Sequence, residues 1–194
     1  MTTLQRFTES LRRFHRRLFT RDDDERIRSR VNALRSSPVF GDMTKRHLVR
    51  VAEVMHERRF KRDEHIYYEN DPGLGLYLIS DGRVRLARRD EDDRDVDIAE
   101  LGEGDIFGVL SVFEDLRRTE SAQSRADTVL LGLFRPDLNA VLNRSPSAGA
   151  AVYKVLARHV GRRYSSLLNC VEETCGRTQT MAMLTETTIT KEMA

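Results

Sequence analysis

The sequence predicts a mainly β protein with flanking helices, a sandwich or barrel, on three observations. Between Phe60 and Phe134, short runs rich in β-branched and aromatic residues recur at short intervals, each bounded by turn residues. On both sides of that stretch the apolar residues return at spacings of three and four, the period of an amphipathic helix. The chain has 194 residues, with 39% apolar and 33% charged. That is about one domain with an appendage, too mixed in composition for a membrane protein and too apolar for a disordered one.

In chain order, residues 1–21 place Leu4, Phe7, Leu11, Phe14 and Leu18 on one face of a helix. Arg6, Arg12, Arg13, Arg16, Arg17 and Arg21 oppose only Glu9, a side-chain charge of about +5 concealed by the whole-chain total of +2. Such a helix docks on its own domain or a dimer mate, fits a groove on a partner protein, or makes peripheral contact with an anionic membrane surface. Asp22-Asp23-Asp24-Glu25 begins a second helix through about Leu34, which Ser36-Ser37-Pro38 stops. Thr44 caps a short helix carrying Leu48, Val51, Val54 and Met55.

Strands follow at Phe60, Ile66 and Tyr68, then Leu76 to Ile79, Val84 to Leu86, Val96 to Ile98 and Val129 to Phe134. Asp81-Gly82 is read as a hairpin turn, because this dipeptide supplies positive φ. Pro136 opens a helix through Leu142, and Ser145-Pro146 opens the longest one. Its stripe of Val152, Leu156, Val160, Tyr164, Leu167, Leu168 and Val171 suits a partner helix, which predicts a homodimer. The expected organisation is an N-terminal helical extension (1–35), a barrel (36–145), a C-terminal dimerisation helix (146–175) and a flexible tail (176–194).

Several kinds of chemistry drop out. Cys170 and Cys175 make neither a disulfide framework nor a zinc site, and a reducing cytoplasm fits them. No apolar run approaches the ~18 residues of a membrane span. His56-Glu57-Arg58-Arg59-Phe60 has Phe where a zinc-protease helix needs its second His, and reads as a helix end. The acidic run Asp90 to Asp97 offers no calcium-loop register with both the required Gly and Glu, and reads as a solvated hairpin tip. Gly73-Leu74-Gly75 precedes a strand rather than a helix, so a dinucleotide reading fails. No cluster suggests catalysis, and no metal or cofactor is implied.

The informative segment runs from Leu101 to Phe134. Phe107-Gly108 is followed by Val109-Leu110-Ser111-Val112-Phe113, a short apolar helix, and then by Arg117-Arg118-Thr119-Glu120-Ser121-Ala122. Glycine lets the backbone approach an anion, helix N–H groups point at it, and an arginine adds a charge-assisted fork. This segment resembles the phosphate-binding cassette of the cyclic nucleotide-binding domain family, the domain also found in catabolite-activator-like regulators. The likeness extends over about residues 34–172.

The resemblance implies a jelly-roll β-barrel (a double-stranded β-helix) with N-terminal helices and a long C-terminal helix. It implies a cyclic nucleotide, cAMP or cGMP, held by Phe107, Gly108, Val109, Leu110, Ser111, Arg118 and Thr119. In relatives the arginine pairs with the cyclic phosphate, its Ser or Thr neighbour assists, and a Glu straight after Phe-Gly accepts from the ribose 2′-hydroxyl. Arg118 and Thr119 match the first two roles. A cassette one residue longer moves the arginine position onto Thr119, but the shorter register places Ser121, Asp127 and Leu130-Leu131 without a gap. Val109 stands where the acid belongs, and Glu120 stands where relatives carry a small residue. Thr119 beside Arg118 also resembles guanine-accepting relatives.

Three functions compete on this reading. The first is a non-enzymatic regulatory module that signals through its C-terminal helix. The second is a degenerate barrel serving as a structural, protein-interaction or membrane-surface module. A transcription factor needs a helix-turn-helix after the long helix, and the remaining eighteen residues are too few, so DNA binding by this chain alone is not expected.

Overall fold

Two adjacent strands in the middle of the chain's apolar runs organise the fold. β3 (Gly75–Asp81) and β8 (Thr128–Phe134) pair antiparallel, with Leu76 opposite Leu133, Leu78 opposite Leu131 and Ile79 opposite Leu130. All six of these side chains are buried. Strand alternation therefore buries both faces of the pair, which is why these segments read as continuous rather than alternating apolar runs. The structure, a computed structural model, describes residues 23–192, with side chains through Leu184. The helix expected over residues 1–21 lies outside the described residues.

Six more strands complete the barrel: β1 (His56–Phe60), β2 (His65–Tyr67), β4 (Val84–Arg89), β5 (Asp95–Leu101), β6 (Ile106–Phe107) and β7 (Ser121–Ser124). They form two antiparallel sheets with orders β1-β8-β3-β6 and β2-β7-β4-β5. Of the consecutive strands only β4 and β5 share a sheet, so the chain crosses repeatedly between layers. This is jelly-roll topology. Between the layers Tyr67, Ile79, Val84, Leu86, Phe107, Ala122 and Leu130 form one buried cluster.

The helices are α1 (23–36), α2 (Lys45–Ala52), α3 (Arg135–Arg144), α4 (Pro146–Cys175) and α5 (Arg177–Glu192). Leu34, Leu48 and Leu138, one from each of the first three, are fully buried, and α3 packs on β8 and α2. Thr44 caps α2 as expected, its hydroxyl accepting from the His47 N–H at 3.4 Å. The chain divides into two units at Val152/Tyr153, inside α4 rather than ahead of it. In the second unit Gly176, at φ 85°, separates α4 from α5. No described helix is long and apolar enough to cross a membrane.

Five expectations need correction. The segment after Gly176 is helical through Glu192 rather than a flexible tail; Met181, Ala182, Met183 and Leu184 are good helix formers that the surrounding threonines obscure. His56–Phe60 is strand β1 rather than a helix end, since it pairs with β8 from His56 opposite Gly132 to Phe60 opposite Thr128. Asp81-Gly82 is not a hairpin, because β3 and β4 belong to different sheets. Only Gly82 has positive φ there, whereas an Asp-Gly hairpin turn needs it at both positions. In β2 the buried residue is Tyr67 and Tyr68 is exposed, because a register shift between His65 and Tyr67 reverses the alternation. Finally, two of the stripe residues assigned to a dimer, Val152 and Leu156, are fully buried, whereas Tyr164 and Leu167 are exposed.

Ile79→Ala should lower unfolding stability by about 2–5 kcal/mol, since it empties the cluster between the sheets. Ile98→Ala, on the exposed face of β5, should change it by less than about 0.5 kcal/mol. Urea denaturation of both variants checks the assigned layers.

Candidate functional site

The site is built where the segment before β3 is stapled to the segment before β7. Arg118 N–H donates to Asp71 O at 2.9 Å, Asn70 N–H donates to Arg118 O at 2.9 Å, and Gly73 N–H donates to Leu116 O at 3.0 Å. Pro72 bridges Arg117, whose guanidinium donates to Asn70 O at 2.7 Å. Asp71 in turn accepts from Tyr68 N–H at 2.8 Å, which shapes the turn. These bonds fix the Arg118 backbone with no latitude for register shift.

From that anchor the Arg118 side chain runs inward and is 5% exposed. Its Nη1 donates to Gly108 O at 3.3 Å and to Ser111 Oγ at 3.4 Å, both long bonds. The guanidinium carbon lies 4.2 Å from the Tyr67 ring centroid and 5.9 Å from that of Tyr77. Its Nε is buried with no partner. Among the described residues no carboxylate forms an ion pair with it. A buried cation held by aromatic faces and two long bonds keeps most of its hydrogen-bonding capacity unused. That is the chemistry of a site for an oxyanion.

The predicted residues divide into those brought together and those that are not. Phe107 is buried and stacks on Tyr77 at 5.4 Å, walling the site. Gly108 sits at φ 68°, and a Cβ there would lie 2.2 Å from Arg118 Nη1, so any larger residue is strained and displaces the guanidinium. Val109 to Val112 form a single 3-10 turn, with Ser111 buried towards Arg118, Val109 half-buried and Leu110 48% exposed. Leu110 does not join the others. Thr119 is diverted: its hydroxyl donates to Glu120 Oε2 in a very short contact.

Glu120 has turned inward rather than out to solvent. Its Oε1 accepts from the Tyr67 hydroxyl at 2.9 Å. Burial pushes the Tyr67 phenol well above its ordinary range, the Glu120 charge pushes it further, and Arg118 opposes both. Burial also raises Tyr77, against Arg118 and Arg58. The residues that sequence reasoning missed are therefore Tyr67, Tyr77 and Gly73. Tyr67 was hidden by the bulge in β2. Gly73 had a signal, a Gly-x-Gly run before a strand, whose meaning is close approach: a Cβ there would lie 2.0 Å from Ser111 Oγ and 2.4 Å from Leu116 O.

Comparison with known proteins bears on the fold that carries this site. Residues 57–145 match the family model of the cyclic nucleotide-binding domain, and they place the barrel in that family. The chain is 32% identical over 127 residues to a cyclic AMP receptor protein of Thermus thermophilus, covering 66% of this chain and 59% of the relative. It is 30% identical over 112 residues, 58% of this chain, to a CRP-like cAMP-activated global transcriptional regulator of Mycobacterium tuberculosis, and spans 50% of it. The crystal structure of the N-terminal domain of a Streptomyces coelicolor transcriptional regulator superposes with a TM-score of 0.62 at 29% identity, over 68% of this chain and 94% of that one. The chain thus spans half to three fifths of the length of these curated relatives.

Gly73→Ala should destabilise the protein by about 2 kcal/mol or more, because one colliding atom is backbone and the staple itself must shift. Gly102→Ala, with open space around its Cβ, should not. Thermal melts of the two variants side by side make the comparison.

Proposed function

We propose that the barrel is a non-enzymatic cytoplasmic sensor that binds a cyclic nucleotide and signals by repositioning its C-terminal helix. The observation that carries this reading is the buried Arg118 guanidinium, whose Nε has no partner and whose Nη1 reaches Gly108 O and Ser111 Oγ only at long range. Cyclic AMP is the leading ligand, supported by the names of the two curated relatives. The cyclic phosphate takes the bonds that Arg118 now makes at long range, and Ser111 lies within reach of the same group. Binding favours one of two helix arrangements.

The site departs from the family pattern at two places, and both weaken it. Val109 offers no acceptor to a ribose hydroxyl, a deficit of about 1–3 kcal/mol. Glu120 holds the Thr119 hydroxyl that would otherwise turn to the phosphate, and places a negative charge on the ligand side of Tyr67. Glu120 also favours the second reading, a barrel retained for protein interaction.

Calorimetric titration of the purified chain with cyclic AMP and cyclic GMP decides between the readings. Arg118→Ala should abolish binding while the protein still melts cooperatively. Val109→Glu should tighten binding by restoring the acceptor. Glu120→Gln should tighten it about fivefold by removing the charge. No heat from either nucleotide, in the native protein or in Glu120→Gln, rejects the sensor in favour of the interaction module.

The homodimer is carried by the exposed part of α4, where Tyr164 is 49% and Leu167 60% exposed. Tyr164→Asp with Leu167→Asp should leave the fold intact and yield a monomer on sedimentation. A native protein that already sediments at 22.4 kDa at micromolar concentration rejects the dimer.

A further inference from the structure

A second concentration of arginine, which does not include Arg118, lines a cleft of about 940 Å³ bounded by α1, β1 and α3. Arg26, Arg30, Arg58, Arg59 and Arg144 line it, with three acids, Glu53, Glu57 and Asp137. None of its lining residues belongs to the cassette. β1 is the edge strand of its sheet and its residues from His56 to Arg59 are exposed, so Arg58 is presented from a strand with no neighbour on its far side.

The acids do not neutralise the cleft, because each is already engaged. Glu53 takes both its bonds from Arg50, at 3.1 and 3.2 Å. Glu57 accepts from Arg59 at 2.6 Å. Asp137 accepts from Phe134 N–H at 3.2 Å, capping α3, and lies 3.1 Å from His56 Nε2. Among the described residues Arg30, Arg58 and Arg144 form no ion pair. Arg30 donates from Nη1 to Ala52 O at 3.2 Å, a bond that leaves its charge uncompensated, and its Nε is buried without a partner. In sequence, residues 1–21 carry the same sign of charge as these arginines, with six arginines against one glutamate.

We infer that this cleft is a second anion site, taking a small ligand that carries two or more phosphate groups. Three planar guanidinium groups without carboxylate partners match the multiply accepting oxygens of tetrahedral phosphate groups better than any single charge. The volume exceeds one phosphate several times over. A cleft lined from three elements suits a compact polyanion more than an extended chain.

The test titrates the full-length protein with inorganic pyrophosphate and tripolyphosphate, by calorimetry at low and physiological salt. Arg58→Ala with Arg144→Ala removes two exposed side chains that bear no structural bond among the described residues, and its melting temperature verifies the fold. Binding that weakens tenfold or more in that double variant, and persists in Arg118→Ala, is the expected result. Absence of binding to either probe overturns the site. So does binding that the double variant leaves unchanged, or that disappears in Arg118→Ala, which returns the anion to the cassette. Poly-glutamate or duplex DNA binding the native protein more tightly than tripolyphosphate, with the same loss in the double variant, overturns the small-ligand assignment in favour of a macromolecular surface.

Discussion

A single guanidinium group, sealed against the face of Tyr67, sets the terms for the rest of the barrel. Burying an arginine costs several kcal/mol unless its charge and donors are answered. Here the answers are partial: an aromatic face worth about 1–2 kcal/mol, two long hydrogen bonds, and an empty position at Nε. Everything around Arg118 serves to keep it there. The staple between residues 70–73 and 116–118 holds its backbone, Gly108 clears space for its head, and Phe107 with Tyr77 excludes water from its flank. Stability has been given up locally in favour of a donor that faces a defined space.

The jelly roll accommodates this because its two layers have different duties. β3 and β8, apolar on both faces, are sandwiched between the interior and the helices and provide the rigid floor. The cassette hangs from the ends of these strands, with β6 adding only two residues to the sheet before the chain leaves for the 3-10 turn. A floor that cannot slip lets a loop above it be both irregular and well placed.

The strong strands were readable because burial on both faces leaves an unbroken apolar run, as in Leu76 to Ile79 and Val129 to Phe134. β1 and β7 were not, since His56-Glu57-Arg58-Arg59 and Ser121-Ala122-Gln123-Ser124 contain hardly an apolar residue. Their pairing is dictated by neighbours rather than by their own composition. The cassette was legible through its glycine, serine and arginine, whose spacing carries the chemistry directly. Tyr67 was not, because a bulge of one residue exchanges the faces of a strand and no local pattern announces it. The sequence at Glu120 allowed either orientation. The inward one follows from the Tyr67 hydroxyl, a buried donor that needs an acceptor and has this carboxylate within reach.

If the barrel binds as proposed, the bond between Glu120 and Thr119 sets the concentrations over which it responds. An anion that recruits the Thr119 hydroxyl must first displace a carboxylate already holding it, so only the fraction of molecules with that contact open is ready to bind. Apparent affinity falls by that fraction. On the proposed reading, a sensor arranged in this way answers only at higher ligand concentrations than one whose threonine is open. One side chain is then enough to move the threshold without rebuilding the pocket.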